Sequence, residues 1–155
     1  MHAGESFARS NQEMYDAILL GSKRIGHGFA IIKSPNLIKL VKEKDICLEC
    51  CPVSNRALGY VTDFRTHPAR ALLTKGKAIS LNPDDEGFWG AHGVTLDYLV
   101  AYMSWNLDLS DIKQLALNSL KYANLSFNAI RTREVYEKFF DDRWGRFNMF
   151  IATRY

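Results

Sequence analysis

His2 and Glu5 open the chain in the run "HAGE", an imidazole that can ligate a metal and a carboxyl that can carry a proton, with Ala3 and Gly4 between them. Alone, the pair also reads as a solvated terminus. Three further clusters carry reactive types. His27 stands between Gly26 and Gly28, small flanks that let a backbone approach a ligand and leave an imidazole uncrowded. The plainer reading is a buried, hydrogen-bonded histidine in a glycine turn. Asp84 and Asp85 are adjacent carboxylates after an apolar run. At a strand end the first can face inward while the second reaches from the loop, and the plainer reading is an acidic turn with Asn82 and Pro83. Cys47 and Cys50 have C-x-x-C spacing beside Cys51, but no second ligand pair follows, and Ile46 and Leu48 favour a buried strand over a zinc site. His67, before Pro68, reads as a helix-start residue. His92 lies in a glycine-rich loop near Phe88 and Trp89, which suit covering a pocket or packing on one.

Positioning these clusters requires alternating strands and helices. "NQEMYDAILLG" spaces Met14, Ala17, Ile18 and Leu20 along a helical face and stops at Gly21. "KRIGHGFAII" begins as a strand. "SPNLIKLVKEKD" starts a helix with Ser34 as N-cap and Pro35 at the first helical position; Leu37, Leu40 and Val41 form its buried stripe. "DICLECCPVS" is a second buried strand, ended by Pro52. "THPARALLTKG" is a helix, and "KAISLNPDD" a third strand broken by "NPDDEG". "VTLDYLVAYMSW" and "LSDIKQLALNSLKYA" read as amphipathic helices, the second capped by Ser110, and "REVYEKFFDDRWGRFNMFI" as a terminal helix interrupted near Gly145. Short buried strands separated by helices predict parallel βαβ units. "GHG", "CPVSN" and "NPDD" are then polar strand ends, with "HAGE" a fourth, as in a (β/α)8 barrel whose catalytic groups sit at the C-terminal ends of strands.

Composition excludes several alternatives. At 155 residues the chain is about one domain, with 47% hydrophobic and 24% charged residues. A net charge of +3 is too small for a nucleic-acid partner, which wants a concentrated basic stripe. No apolar run reaches the ~20 residues of a membrane span, and the basic-then-apolar pattern of a signal peptide is absent. Three cysteines within five positions form no disulfide scaffold.

"HAGE", "RIGHG", "CPVSN" and "SLNPDD", in that order and spacing, resemble the C-terminal half of the adenosine deaminase family. "YDAILLGSKRIGHGFAI", "DFRTHPARALLTKGKAIS" and "IKQLALNSLKYA" are most similar to its secreted, growth-factor-type branch. The resemblance spans essentially the whole chain. It implies an α/β fold, the C-terminal half of a (β/α)8 TIM barrel from the end of strand five to strand eight plus C-terminal helices, as one partial domain over residues 1–155. It implies zinc-dependent hydrolysis of adenosine and 2'-deoxyadenosine to inosine and ammonia, an extracellular location and a homodimer for full-length relatives. His2 and Asp84 match zinc ligands. Glu5 matches the acid that gives a proton to purine N1, His27 the histidine beside the zinc-bound water, and Asp85 the carboxyl that bonds purine N7. The chemistry fits these types: zinc lowers the pKa of bound water toward ~7, the resulting hydroxide attacks C6, Glu5 neutralises charge on N1, and His27 with Asp84 orients the nucleophile.

The departures from the family are specific. The H-x-H zinc pair of the first barrel strand is missing from the sequence, and Glu86 stands where a proline usually follows the two aspartates. Losing half the ligands removes much of a binding free energy that is on the order of 10 kcal/mol in full structural zinc sites. A three-strand remnant would have two open sheet edges and an exposed apolar inner face. The expectation is an incomplete copy of a larger deaminase, a fragment inactive by itself. The reading from a different function class is a non-catalytic remnant acting as a binding or growth-factor-like module. A third is a related amidohydrolase for AMP or adenine.

Overall fold

The computed structural model describes residues 1–7, 12–124 and 129–154. They form two compact units, Met1–Ser119 and Leu120–Tyr155. In the first, four short parallel strands make one sheet in sequential order: β1 (His2–Ala3), β2 (Arg24–His27), β3 (Cys47–Cys50) and β4 (Ile79–Leu81). The "HAGE" end is thus a strand end as expected, its two residues pairing beside the three apolar strands. Between strands run α1 (Gln12–Leu19), α2 (Pro35–Glu43), α3 (Pro52–Ala57) and α4 (Pro68–Thr74), followed by α5 (Thr95–Trp105) and α6 (Leu109–Lys121). Asn11, assigned to the first helix from sequence, lies outside the described residues.

Register assigns each strand residue to a face. His2 pairs with Gly26, Gly26 with Glu49, and Glu49 with Ser80. By the two-residue pleat, His2, Arg24, Gly26, Cys47, Glu49 and Ser80 share one face. Ala3, Ile25, Leu48, Cys50, Ile79 and Leu81 share the other and are buried together with Met14, Ala17, Leu37, Val41, Leu72 and Leu115 from the helices. The hydrophobic core therefore lies between sheet and helices. The expectation of an apolar inner face is corrected: the face away from the helices carries His2, Gly26, Ser80 and an Arg24–Glu49 ion pair.

Local signals account for most boundaries. The Leu37 N–H donates to Ser34 Oγ at 3.4 Å, with Pro35 opening α2. The "RIGHGFAII" strand stops at His27, and the chain tightens into a 3-10 turn over Phe29–Lys33. Pro52 ends β3 and also starts α3, a helix the polar "CPVSN" reading did not anticipate. Four expectations fail. Leu20, read on the apolar face of α1, lies past the end of that helix and is exposed. Asp108, not Ser110, caps α6: the Asp111 N–H donates to Asp108 Oδ1 at 2.9 Å and the Asp108 N–H to Asp111 Oδ2 at 3.0 Å, a reciprocal box. Amphipathicity fails in α5, whose buried stripe is Asp97, Ala101 and Trp105 while Leu99 and Met103 are exposed. In the second unit, α7 (Ala129–Ala152) runs unbroken through Gly145, since one exposed helical glycine costs only about 1 kcal/mol; Trp144 stacks on Phe140 beside it at 6.0 Å. Among the described residues no helix is long and apolar enough to cross a membrane.

Candidate active site

Parallel strands bring all their C-terminal ends to one edge of a sheet. That edge holds His2 in the two-residue β1 and Glu5 after it, His27 at the end of β2, Ser54 and Asn55 after β3, and Asp84 after β4. The "HAGE" run is tied in by backbone bonds: the Gly28 N–H donates to Ala3 O at 2.9 Å, the Ala30 N–H to Gly4 O at 3.0 Å, and the Gly4 N–H to Glu13 Oε1 of α1 at 2.8 Å. The His2 ring lies over Gly26, where a Cβ would come within 2.9 Å of it. Only a glycine leaves that ring its place.

His27 departs from the pleat. Its register partner is Ala3, so alternation alone would turn it into the helix-packed core. Its φ of 62° is left-handed, which takes the side chain out of alternation; Asp84 does the same with φ 55°. Such conformations cost non-glycine residues of order 1–3 kcal/mol and concentrate at functional sites. The result is a compact cluster. His27 Nε2 lies 3.5 Å from Glu5 Oε1 and 4.0 Å from Asp84 Oδ2. The His2 and His27 rings are 5.3 Å apart. Ligand atoms of His2, His27 and Asp84 all fall within 4.8 Å of one another.

The surroundings hold this cluster in place. Ser54 Oγ donates to Asp84 Oδ2 at 2.6 Å, which orients that carboxylate. Asn55 sits 3.5 Å from His27 Nδ1 and 3.0 Å from His67 Nε2. Burial lowers the His27 pKa, opposed by the Glu5 and Asp84 carboxylates, and burial brings His67 down to about 4. Asp97 accepts the Val53 N–H at 3.0 Å, yet burial dominates and raises its carboxyl to about 6. Asp85 does not join the metal-type cluster; it lines an open cleft of about 420 Å³ with Asp84, Glu86, Gly87 and Phe88. A second cleft of about 250 Å³ opens on His2, Glu5, Glu13 and Tyr60. Glu86, the residue at odds with the family pattern, closes its own loop by accepting the Gly93 N–H at 2.5 Å.

The four polar strand ends thus meet as expected. The His67 reading holds as well: it caps α4 by accepting the Ala69 N–H at Nδ1. Its second bond, to Asn55, was missed, as were the roles of Ser54 and Asp97. "CPVSN" was visible as a polar strand end, but only a helix starting at Pro52 turns Ser54 to Asp84 and Asn55 to His27. The Cys47–Cys50 pair lies in a buried strand as expected, with burial raising the Cys47 thiol to about 11. His92 lies in the loop after the Glu86–Trp89 turn.

Zinc suits this donor set in kind. An exposed imidazole and a carboxylate oriented by a hydroxyl are zinc-type ligands, the glycine below His2 keeps its ring free, and clefts open on both. In number, His2 and Asp84 are two of the three or more protein ligands that a catalytic zinc takes.

Known proteins share the sequence and the fold of this chain. The adenosine deaminase family model matches residues 1–138. The chain is 40% identical over 154 residues to adenosine deaminase 2 of Dictyostelium discoideum, covering 99% of this chain and 28% of that one. It is 36% identical over 160 residues to human adenosine deaminase 2, covering 99% and 30%. The chain therefore spans less than a third of these relatives. An adenine deaminase from Arthrobacter aurescens superposes with a TM-score of 0.82 at 23% identity, over 94% of this chain and 42% of that one. An amidohydrolase from Burkholderia ambifaria with bound Zn gives 0.82 at 21%, over 98% and 42%. The expected fold stands: an α/β parallel sheet corresponding to part of a TIM-type deaminase. The chain belongs to the adenosine deaminase family.

Proposed function

We propose that residues 1–119 carry one part of a zinc-dependent active site that hydrolyses the 6-amino group of adenosine and 2'-deoxyadenosine, water entering and ammonia leaving to give inosine. The observation that carries this reading is the convergence of His2, His27 and Asp84 within 4.8 Å, with Glu5 Oε1 at 3.5 Å from His27. His2 and Asp84 would hold zinc, which when bound supplies a Lewis acid that acidifies water toward a pKa of ~7. Glu5 holds the proton that purine N1 takes up as ring aromaticity breaks. His27 and Asp84 orient the attacking water from their shared side of the cluster. Asp85 reaches purine N7 from its cleft, and Ser54 keeps the Asp84 carboxylate aimed.

Two of the similar structures are named for deaminating a purine, adenine in one and N6-mAMP in the other. Arabidopsis N6-mAMP deaminase superposes with a TM-score of 0.78 at 20% identity over 91% of this chain and 40% of that one. Adenine and AMP therefore stand as the competing substrates. The reading from a different function class is a non-catalytic binding module. An extracellular location and homodimers, as expected of full-length relatives, belong to the same family reading.

Zinc titration and adenosine turnover test the ligand assignment and the need for further ligands. The 155-residue chain is expected to bind one zinc weakly, at micromolar or weaker affinity, and to turn adenosine over negligibly. His2→Ala and Asp84→Ala should each abolish the binding. Binding that survives both substitutions contradicts the assignment of ligands, and robust inosine production contradicts the need for further ligands.

A further inference from the structure

A buried hydrogen-bond chain leads away from the cluster, and its direction is set at one end. The backbone N–H of Ala69 donates to Nδ1 of His67 at 3.0 Å. A backbone amide can only donate, so His67 Nδ1 must offer its lone pair. This bond exists because the first turn of α4 has N–H groups without intrahelical partners. His67 is 1% exposed and packed by the rings of Phe29 at 5.6 Å and Trp105 at 5.2 Å. A neutral ring in that setting carries its proton on Nε2. That N–H meets Asn55 Oδ1 at 3.0 Å, which fixes which way the Asn55 amide points. Asn55 Nδ2 then lies 3.5 Å from His27 Nδ1, and an amide nitrogen can only donate. His27 Nδ1 must accept, so the His27 proton sits on Nε2, the nitrogen that faces Glu5 and Asp84.

We propose that Asn55 and His67 are positioning residues that set the tautomer of His27, so that its Nε2–H enters the site as a hydrogen-bond donor and not as a third metal ligand. This deepens the deaminase reading and rests on it for its catalytic meaning. Ligand-atom distances alone allow His27 to join His2 and Asp84 on a metal. A nitrogen that carries a proton has no lone pair for one. The relay therefore assigns His27 to the water and leaves His2 and Asp84 as the ligands. The source of the polarity is the cap of α4, 40 residues further along the chain, carried through Asn55 of α3. All three side chains are essentially without solvent contact, so water cannot replace the missing partner if the order is reversed, and the wrong tautomer would place two donors face to face.

Long-range proton–nitrogen correlation spectra of the 15N-labelled 155-residue chain test this without metal or substrate. The parent should show His27 protonated on Nε2 and bare on Nδ1, at about 10:1 or more over the other tautomer, given the cost of a buried unsatisfied donor. Asn55→Asp replaces the donating NH2 with an acceptor, and His27 Nδ1 should then gain a proton. His67→Asn keeps a capping side chain on α4 but is too short to reach Asn55, so the two His27 tautomers should approach parity. A parent spectrum with His27 protonated on Nδ1 overturns the proposal even if neither variant folds. So does an Asn55→Asp spectrum in which Nδ1 stays bare. Because the tautomer is read without turnover, failure of the deaminase reading would leave this result standing, and the reverse also holds.

Discussion

Gly26→Ala isolates the position of His2 from the stability of the fold. A Cβ at residue 26 would stand 2.9 Å from His2 Cδ2, 3.0 Å from Cγ and 3.1 Å from Nε2. Comfortable carbon contacts begin at about 3.5 Å, so the ring must withdraw by roughly 0.5 Å or more. Zinc–nitrogen bonds tolerate about 0.2 Å, so the displaced imidazole can no longer share an ion with Asp84 at the original place. Zinc affinity should fall at least about tenfold, equivalent to ~1.4 kcal/mol. Global stability should barely move, because Gly26 has an ordinary strand conformation and His2 lies at the solvent-exposed rim; removing a glycine from the unfolded ensemble even stabilises by about 0.4–1 kcal/mol. Gly28→Ala is the control. There a Cβ meets Leu48 Cδ2 at 2.6 Å and φ is +68°, so the fold should weaken by about 1–3 kcal/mol. The assays are zinc titration against a competing chelator and urea unfolding of all three proteins. Parent-like zinc affinity in Gly26→Ala would refute the placement of His2, and unfolding of that variant would refute the claim that the glycine serves the ring.

Two further predictions concern carboxylates. Asp97 has its pKa raised by burial to about 6 in the folded chain, above an ordinary carboxyl. The folded state therefore holds that proton more tightly than the unfolded one, so Asp97 destabilises the fold as pH rises from about 4 through 6. Asp97→Asn keeps an acceptor for the Val53 N–H, and its stability relative to the parent should grow by up to about 2–3 kcal/mol between pH 4 and pH 7 in urea unfolding; a difference independent of pH contradicts this. Ser54→Ala removes the 2.6 Å bond to Asp84 and should weaken zinc binding by about 10–100-fold with little change in far-UV circular dichroism.

The parts of the fold legible in the sequence are those fixed by local chemistry. Ser34–Pro35 marks the start of α2, and Pro52 stops β3. "HAGE", "GHG" and "NPDD" mark strand ends because glycine, proline and short polar residues interrupt apolar runs. The direction of side chains was not legible. His27 and Asp84 point into the site through left-handed backbone that no periodicity predicts. The α5 pattern misled because its core stripe includes Asp97, a polar residue recruited by the Val53 amide of α3, 44 residues back along the chain. The Asp108–Asp111 box outcompeted Ser110 because two reciprocal bonds hold a helix start more firmly than one. Asn55 and His67 lie 12 residues apart, and only the packing of α3 against the start of α4 makes them one relay.

The central claim is that these strand ends work as part of a purine deaminase, and a chimera tests it most directly. Residues 1–119 of this chain would replace the matching segment of the Dictyostelium adenosine deaminase 2, whose remaining chain would supply what this segment lacks. Inosine formation would be followed with adenosine as substrate. The chimera should retain turnover within about tenfold of its parent, and Glu5→Gln within it should lose about 10²–10⁴ of that rate. A folded, zinc-loaded chimera that forms no inosine, or one indifferent to Glu5→Gln, would contradict the claim.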